Sequence, residues 1–420
     1  MGAQYRDDQR WRAQLRRIDT GSFVRARRST SRDVNRRIIL NLVREHEPLS
    51  RAELARKMDI GRGMVTSLVT ELIEEKAIYT GATIVAPRGR RPEMLYVRTR
   101  DRIVMAVDIR LTKTFLMLGD FAGLPKDVES FDTIVDPTAL VVELARRIGA
   151  MLDEHGSASD CEGIGLVVPG MVDRATGRVL NAPQLGWQDV DIREALMTAT
   201  GRPVQIENAP IACALARMWL SGGNERAPQN FVYVTVSDGV GAAIVIDGAV
   251  VRGDGETAGE FGHVPLDLDG PRCLCGARGC LEAYTSNLAT TSRYLGIEFS
   301  PDTARALVSS TGVSIGDVIE KWKSGDREAA RALGETARYL GAGLSMIVNS
   351  VNPGMIFVGG EVTAAWELFA PELARAIASR ALTPRAARTP VVPESAGSFP
   401  RLQGAMALIA ARAYAAPVIA

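Results

Sequence analysis

The feature that most constrains this chain is a cluster of one histidine and three cysteines within eighteen residues, from His263 to Cys280. The other two members are Cys273 and Cys275, and the whole chain has only three histidines and five cysteines. Imidazole and thiolate are ligands that zinc prefers, and four of them complete a closed tetrahedral site. The spacing therefore predicts a structural Zn²⁺ site, because no coordination position is left for a substrate water.

Two glycines and two acids accompany this cluster. Gly276 and Gly279 supply the backbone freedom that a tight turn between the last cysteines requires. Glu260 and Glu282 bracket the cluster, three residues before it and two residues after it. A metal here would fix the positions of two carboxylates that can bind a polar ligand. The alternative is that the cysteines are scattered core residues unrelated to a metal.

The charge of the chain is distributed unevenly. Its 420 residues imply two or three domains, and its net charge is only +1. Eleven arginines nevertheless fall within the first forty residues: Arg6, Arg10, Arg12, Arg16, Arg17, Arg25, Arg27, Arg28, Arg32, Arg36 and Arg37. A basic end on a near-neutral body predicts contact with a polyanion. For residues 1–30 the alternative is a disordered arm whose charge only keeps it solvated.

Nothing in the sequence indicates a membrane protein or a secreted one. No apolar run reaches the roughly 18–20 residues that a membrane span needs, and the basic start has no apolar segment behind it. Cys161 and Cys213 stand alone in apolar surroundings and are predicted to be buried thiols, so no disulfide framework remains. These observations predict a protein of the reducing cytoplasm.

Residues 31–100 have the pattern of three helices followed by two strands. Ser50 and Glu53 form a predicted capping box at the start of the second helix. Helical spacing predicts inward-facing apolar side chains in the first and third helices. They are Ile38, Ile39, Leu42, Val43, Val65, Leu68, Val69, Leu72 and Ile73. Short strands at 78–80 and 95–97 flank a basic loop at 87–92, which together predict a winged helix-turn-helix domain.

A winged helix-turn-helix domain predicts double-stranded DNA as a partner. The third helix would read bases, since arginine can pair with guanine and hydroxyls can reach base edges or phosphates. Its outward residues are Arg62, Thr66, Ser67 and Thr70, and the wing arginines are Arg88, Arg90 and Arg91. Gly61 and Gly63 either let the backbone approach DNA or simply fray the helix start. The alternative for the whole domain is a small helical interaction module with solvated charges.

From residue 101 onward, strands and helices alternate in an α/β pattern. Buried strands are predicted at 103–108, 114–118, 125–134, 163–168, 203–207, 231–236 and 355–358, with helices at 137–155 and 328–350. Segments 105–119 and 234–248 share one order: strand, tight turn, strand, glycine. This repetition predicts two similar α/β lobes with a cleft between them.

Several segments between about residues 31 and 416 resemble one family. They are 49–55 (LSRAELA), 89–92 (GRRP), 169–173 (PGMVD), 258–263 (AGEFGH) and 273–282 (CLCGARGCLE). The chain resembles the winged-helix transcriptional regulators among the ROK (repressor, open reading frame, kinase) proteins. The resemblance implies an actin-like, ribonuclease H-like, sugar-kinase-type domain over 101–420, with a sugar in its cleft, in dimers or tetramers. Lobe one would span about 101–220 plus the helix at about 400–416, and lobe two about 221–399, with the zinc loop at 263–282.

The chain departs from the kinases of that family at three places. Their Asp-x-Gly-Gly-Thr phosphate turn corresponds to 108–113, where Arg110 and Leu111 replace the glycines. Their catalytic Glu-Asn-Asp reads Glu-Asn-Ala here, because Ala209 stands in place of the aspartate that acts as general base. Asp238 places a negative charge in the second phosphate turn. The resemblance therefore implies that phosphotransfer has been lost and that the protein is not an enzyme.

The sugar contacts of the family carry over selectively, because the aspartate that Ala209 replaces also binds sugar hydroxyls in the family. The resemblance therefore leaves open a ligand that is altered, phosphorylated or absent. Asn208, Glu260, His263 and Glu282 match its sugar-binding positions, and Asn181 is a further candidate in the cleft. Carboxylates, amides and imidazole can bond to vicinal hydroxyls. The alternative for Glu260 and Glu282 is a structural role in orienting zinc ligands.

These inferences predict a ligand-responsive repressor of sugar uptake or catabolism genes. Its effector would be a sugar or sugar phosphate, and a homodimer or homotetramer would bind a palindromic operator. Two alternatives remain open. One is an active ROK sugar kinase with a DNA-binding extension, and the other is a constitutive regulator whose cleft is vestigial or whose surface binds a protein partner.

Overall fold

A computed structural model describes residues 28–83, 92–220, 228–303 and 312–414 of the chain. The chain forms two compact units. Met1–Arg98 and Tyr414–Ala420 belong to the first, and Thr99–Ala413 form the second. The predicted arm up to residue 27 and the wing arginines Arg88, Arg90 and Arg91 lie outside the described residues, so both stay predictions.

The first unit combines three helices with a small antiparallel sheet of order β1-β3-β2. Its elements are α1 (Arg28–His46), β1 (Leu49–Ser50), α2 (Arg51–Met58), α3 (Arg62–Glu74), β2 (Ile78–Thr83) and β3 (Glu93–Val97). The predicted capping box is present: Ser50 Oγ accepts the Glu53 N–H at 3.3 Å, and the Glu53 carboxylate accepts the Ser50 N–H at 2.8 Å. This element order is that of a winged helix-turn-helix.

The core of the first unit follows the predicted helical stripes with one exception. Val65, Leu68 and Val69 of α3 are fully buried. Ile38 was predicted to face inward, but it is 41% exposed, because its neighbour Ile39 occupies the buried face of α1. Leu42 and Ile73, also predicted to face inward, are half-buried.

The first lobe of the second unit is built on a five-stranded sheet of order β11-β7-β4-β5-β6. Its elements are β4 (Ile103–Ile109), β5 (Lys113–Asp120), β6 (Pro125–Asp132), α4 (Pro137–Glu154), β7 (Cys161–Val168), β8 (Met171–Asp173), β9 (Arg178–Ala182), β10 (Trp187–Val190), α5 (Ile192–Thr200), β11 (Val204–Asn208) and α6 (Ala209–Trp219). The central strand β4 is buried along its whole length. The short strands β8, β9 and β10 form a separate antiparallel sheet.

The second lobe repeats this plan with the sheet order β14-β13-β12-β15-β16. Its elements are β12 (Phe231–Val236), β13 (Val240–Ile246), β14 (Ala249–Val251), α7 (Glu282–Thr285), α8 (Asn287–Tyr294), α9 (Ile315–Lys323), α10 (Arg327–Val351), β15 (Ile356–Gly359), α11 (Trp366–Arg380) and β16 (Val391–Pro393). In each lobe an antiparallel hairpin, β4–β5 or β12–β13, has a parallel strand beside its first member. The repetition predicted from the sequence is therefore confirmed.

Two helices pack on the sheets of the two lobes. The last helix, α12 (Pro400–Tyr414), packs on the first sheet, where a Cβ at Gly165 would lie 1.8 Å from the Ala405 carbonyl oxygen. Helix α6 packs its apolar face against the second sheet, with Cys213 among the contacts of Phe231 and Tyr233. Cys213 is buried as predicted, whereas Cys161 is only half-buried.

Among the helices in the described part of the chain, none combines the length and the apolar character that a bilayer crossing requires. The cytoplasmic location stays a prediction.

Candidate functional site

A cavity of about 140 Å³ in the second unit is lined by residues of both lobes. All five predicted sugar-binding residues line it: Asn181, Asn208, Glu260, His263 and Glu282. They reach the cavity from β9, from the end of β11, from a short 3₁₀ segment (Phe261–His263) and its preceding residue, and from the start of α7. The fold thus brings together side chains that are up to about a hundred residues apart in sequence.

The histidine–cysteine cluster converges beside this cavity. The ligand atoms of His263, Cys273, Cys275 and Cys280 all lie within 4.8 Å of one another. The Sγ atoms of Cys275 and Cys280 are 3.8 Å apart. Two ligands of a tetrahedral zinc with bonds of about 2.3 Å are separated by about 3.8 Å. The donor set and its spacing therefore fit a closed four-coordinate metal site.

The turn that closes the cluster depends on the predicted glycines. Gly276 has a φ of +95° and Gly279 a φ of +68°, both in the region that favours glycine. A Cβ at Gly279 would also lie 1.5 Å from the Asp267 carbonyl oxygen. Burial raises the pKa of the Cys273 thiol, and burial together with Cys275 raises the pKa of Cys280 to about 11. A bound cation would favour the thiolate forms of these sulfurs.

His263 joins the metal cluster to the cavity. Its Nδ1 lies 3.8 Å from Cys273 Sγ, and its Nε2 lies 3.8 Å from a carboxylate oxygen of Glu260. One ring nitrogen therefore faces the cluster while the other faces the cavity. Burial raises the pKa of Glu260 against the opposing influence of His263. The Glu260 carboxylate forms no hydrogen bond with the described part of the chain, so it can accept bonds from a ligand.

The Glu282 carboxylate contacts both the metal cluster and the backbone at the start of β13. One of its oxygens accepts the Val240 N–H at 2.9 Å, and the other lies 3.5 Å from Cys273 Sγ. The side chain is buried, and burial raises its pKa. Both carboxylate oxygens of Glu282 therefore contact the protein, which agrees with the structural role considered as the alternative for this residue.

Asn208 also has a divided role. Its Oδ1 caps α6 by accepting the Ile211 N–H at 3.1 Å. Its Nδ2 has no bonding partner among the described residues, so two amide hydrogens are available to a ligand. The preceding Glu207 is bound to Arg252 at 2.5 Å, which leaves it no role in the cavity.

A cluster of charged side chains, called the ion-pair cluster, also borders the cavity: Arg110, Arg401 and Asp238 line it, and Asp108 and Glu361 bond to the arginines. Arg110 donates to Asp108 at 2.7 Å and to Glu361 at 3.0 Å. Arg401 of α12 lies 2.7 Å from Asp108. Burial opposes the charge of Arg110, but Asp108 and Glu361 outweigh it and raise its pKa. Burial and the neighbouring Glu361 raise the pKa of Asp238 to about 6.

Three backbone amides near this cluster are bonded within the protein. The Arg110 N–H donates to the Lys113 carbonyl at 3.1 Å, and the Ser237 N–H donates to the Gly239 carbonyl at 2.9 Å. The Val240 N–H donates to Glu282. At the start of α6, Pro210 has no N–H to donate. The amides of Leu111, Asp238 and Gly239, which also line the cavity, form no hydrogen bond with the described residues.

Residues 104–412 match the ROK family. The chain belongs to the ROK family. It is 31% identical over 366 residues to a putative xylose repressor of Caldicellulosiruptor sp. strain Rt8B.4. The aligned region covers 83% of this chain and 88% of that protein.

Two solved structures extend the comparison. A ROK family transcriptional regulator, a homologue of the E. coli MLC protein, has a TM-score of 0.75 and 26% identity, covering 92% of this chain and 97% of its own. A ROK family glucokinase from Streptomyces griseus, solved with glucose and AMPPNP, has a TM-score of 0.61 and 26% identity. It covers 72% of this chain and 97% of its own. Regulators of the ROK family thus match more of this chain than the ROK kinase does, and the likeness confirms the predicted actin-like fold.

The predicted DNA-reading residues of this ROK protein share the exposed face of α3. Arg62, Thr66, Ser67 and Thr70 are all exposed. The Thr66 and Thr70 hydroxyls each donate to a backbone carbonyl four residues earlier, at 2.9 Å. Arg32 of α1 donates to Ser67 Oγ at 2.8 Å, which places a further cation on this face. Cβ atoms added at Gly61 and Gly63 would meet nothing within 4 Å, so packing does not require these glycines.

Sequence reasoning missed several residues of the ROK cavity. Arg401 and Gln184 line it, and Glu361 bonds to Arg110 from just beyond it. Gln184 Oε1 is buried without a partner among the described residues, so it is a further candidate to accept a ligand hydroxyl. No local motif marks these residues, since Arg110 and Glu361 are 251 residues apart in sequence.

Proposed function

We propose that this ROK protein is a DNA-binding transcriptional repressor of sugar uptake or catabolism genes, and that a sugar or sugar phosphate in its cleft controls it. The observation that carries this proposal is the asymmetry of the cavity. The Asn208 amide and the Glu260 carboxylate line the cavity without hydrogen bonds from these groups to the described residues, other than the cap that Asn208 Oδ1 forms. Arg110 and Asp238 stand in the turns that would bind phosphate in a ROK kinase. A cleft of this kind can bind the hydroxyls of a sugar and lacks the glycine turn of the kinases.

The relatives support the regulatory part of the proposal. The xylose repressor and the regulator homologous to MLC match most of this chain, and each is matched over most of its own length. The first unit supplies a winged helix-turn-helix with an exposed arginine and three hydroxyls on α3. Base reading by Arg62, with Thr66, Ser67 and Thr70 contacting bases or phosphates, is part of the proposal. The wing arginines would add contacts that do not depend on sequence.

A homodimer or homotetramer would present two α3 helices to a palindromic operator, about one DNA turn apart. Sugar binding would favour one arrangement of lobes and subunits, and so change the spacing of the two helices. A ligand can do this only if it binds one arrangement more tightly than the other. We further propose that the metal is Zn²⁺ and that its role is structural, because three thiolates and one imidazole leave no open position.

The absence of phosphotransfer is proposed from the chemistry of the cavity. Ala209 has no side-chain base, and general-base catalysis typically contributes about 10²–10⁴-fold to rate. Arg110 and Asp238 stand in the two turns that would bind phosphate in a ROK kinase, and the amides of Arg110 and Ser237 are bonded within the protein. Each of these features works against binding or transferring the terminal phosphate of ATP.

We therefore expect no sugar-dependent ADP release from the purified protein with Mg·ATP and D-glucose or D-xylose. The matched variant is Ala209→Asp, which restores a carboxylate at the start of α6. It should also stay inactive, because the ion-pair cluster is unchanged. A coupled ADP assay provides the measurement. Turnover by the wild type would establish the kinase alternative, and turnover by Ala209→Asp alone would show that the base is the only missing part.

A constitutive regulator with a vestigial cleft is the remaining alternative. It predicts unchanged melting temperature across a sugar panel, whereas a bound effector must stabilise the native state. The unbonded groups of Asn208, Glu260 and Gln184 favour a cleft that still binds.

A further inference from the structure

One thiol of the metal cluster is open to solvent. All five cysteines lie in the described part of the chain: Cys275 is exposed, Cys161 is half-buried, and Cys213, Cys273 and Cys280 are buried. Cys275 also lines the cavity, so a solute small enough to enter the cavity can reach its sulfur. Oxidation of a cysteine follows its exposure and its thiolate character. Cys275 is therefore the cysteine that an oxidant in solution meets first.

A second thiol stands beside Cys275. The Cys280 Sγ lies 3.8 Å from the Cys275 Sγ. Because a disulfide has an S–S distance of about 2.05 Å, the two sulfurs need to approach by about 1.8 Å to form one. The third thiol of the cluster, that of Cys273, faces a Glu282 carboxylate oxygen at 3.5 Å. Cys280 is thus the thiol best placed to react with an oxidised Cys275.

The turn that carries Cys275 faces open space. Two backbone bonds hold it: the Cys273 N–H donates to the Ala277 carbonyl at 2.8 Å, and the Gly276 N–H donates to the Cys273 carbonyl at 3.0 Å. Residues 275–278 are all exposed, and a Cβ at Gly276 would meet nothing within 4 Å. Packing therefore does not oppose the small movement that brings the two sulfurs together.

The two cysteines outside the cluster lack these properties. Burial raises the pKa of Cys213 to about 12, so this thiol stays protonated and unreactive at neutral pH. The Cys161 thiol is half-buried, and its sulfur contacts the Gly163 carbonyl at 3.6 Å. Oxidation of the exposed pair can therefore be distinguished from oxidation elsewhere in the chain.

We propose that Cys275 and Cys280 are a peroxide-sensitive thiol pair, and that their oxidation to a disulfide releases the metal. The inference rests on the proposed structural Zn²⁺ and adds oxidative control to its site. Bound Zn²⁺ would keep both sulfurs as thiolates at neutral pH. Once the two sulfurs are joined, only His263 and Cys273 remain as ligands, which is too few for a closed four-coordinate site.

The oxidation needs a hydroperoxide as its co-reactant. The Cys275 thiolate attacks one oxygen of hydrogen peroxide, the O–O bond breaks, and hydroxide leaves, which gives a sulfenic acid. The Cys280 thiolate then attacks the Cys275 sulfur, so that an S–S bond forms, the S–O bond breaks, and a second hydroxide leaves. The two thiolates together give up two electrons, and the peroxide oxygens accept them. A dithiol reductant reverses the reaction by thiol–disulfide exchange.

The test is peroxide treatment of the full chain. Zinc release is followed with a chromogenic chelator, and disulfides are mapped by mass spectrometry after alkylation. We expect the zinc to be released together with formation of a Cys275–Cys280 disulfide, while Cys161 and Cys213 stay open to alkylation. Dithiothreitol and added Zn²⁺ should restore the metal. Treated protein that kept its zinc, or that lacked this particular disulfide, would overturn the inference.

The assay also separates the inference from the proposed function. Untreated protein without zinc would refute the proposed metal and the inference together. Zinc in the untreated protein with no response to peroxide would refute the inference alone. No sugar and no operator enter the assay, so its result does not depend on the identity of the effector.

A variant separates the reactive sulfur from the metal site. Cys275→His replaces one zinc ligand by another, so a site of two cysteines and two histidines remains. We expect this variant to keep zinc and to release it at least about tenfold more slowly under peroxide. The control, Cys161→Ser, should release zinc at the wild-type rate. Equal release from Cys275→His and the wild type would overturn the role of Cys275. If Cys275→His did not hold zinc, the disulfide map of the wild type would still decide.

Discussion

Cys280→Ser is expected to release the metal and to abolish the response to sugar while leaving DNA binding in place. Cys280 contributes its thiol to the metal cluster but does not line the cavity, so its replacement removes no direct ligand contact. Structural Zn²⁺ contributes about 10–16 kcal/mol to the folding of zinc-finger peptides. Without the metal, the loop that positions His263 and Glu260 loses its cross-link.

We expect the sugar response to be lost completely because the side chains that contact the metal cluster also line the cavity. His263 faces Cys273 with one nitrogen and Glu260 with the other, and Glu282 links Cys273 to the Val240 amide. The first unit has its own core and does not depend on this loop. Operator affinity without sugar should therefore stay near the wild-type value.

The measurements are metal content by mass spectrometry, sugar-induced thermal shift and operator affinity. Cys161→Ser is the matched control, because this half-buried cysteine lies outside the cluster. It should keep one metal per chain and a full sugar response. A Cys280→Ser protein that had lost its metal but kept the wild-type thermal shift would contradict the link between metal and effector.

Arg62→Ala is expected to weaken operator binding by about 10–100-fold, in line with the roughly 1–3 kcal/mol that a bidentate base contact provides. Arg62 is exposed at the first position of α3. Its loss should also relax the preference for one base in each half-site, because a base contact carries sequence information and a phosphate contact does not. Fluorescence anisotropy with the operator and with single-base variants provides both quantities.

Arg331→Ala serves as the control for the change in charge, since Arg331 is an exposed residue of α10 in the second unit. Its effect on operator affinity should be small. Equal weakening of operator and unrelated DNA by Arg62→Ala would remove Arg62 from the set of base-reading residues and leave it as a phosphate contact.

Local chemistry explains what could be predicted from the sequence. The metal cluster has its ligands within eighteen residues, so spacing alone indicated its convergence. The capping box depends on two residues three positions apart, and the two hairpins have a common sequence pattern. Each of these features is determined by interactions between near neighbours, or by a motif that resembles a known family.

The ion-pair cluster could not be predicted because it depends on long-range packing. Arg110, Glu361 and Arg401 come from a hairpin turn, the segment after β15 and the last helix. The sequence indicated that Arg110 replaces a glycine, but not that two carboxylates hold its side chain across the cavity. Nothing in the sequence indicated that Glu282 bonds to the Val240 amide, since the two residues are 42 positions apart.

The most direct test of the account is the effect of a sugar or sugar phosphate on operator affinity. The operator is first selected from random DNA by the purified wild-type chain, and its affinity is then measured by anisotropy with and without each member of a panel of sugars and their phosphates. The account predicts that one sugar or sugar phosphate weakens operator binding by about 5–150-fold, the usual range of coupling between two sites. It also predicts that Glu260→Gln, which keeps the side-chain shape but removes the charge, shifts this response to higher effector concentration. Operator affinity that stayed constant across all sugars and their phosphates would contradict a sugar-controlled repressor.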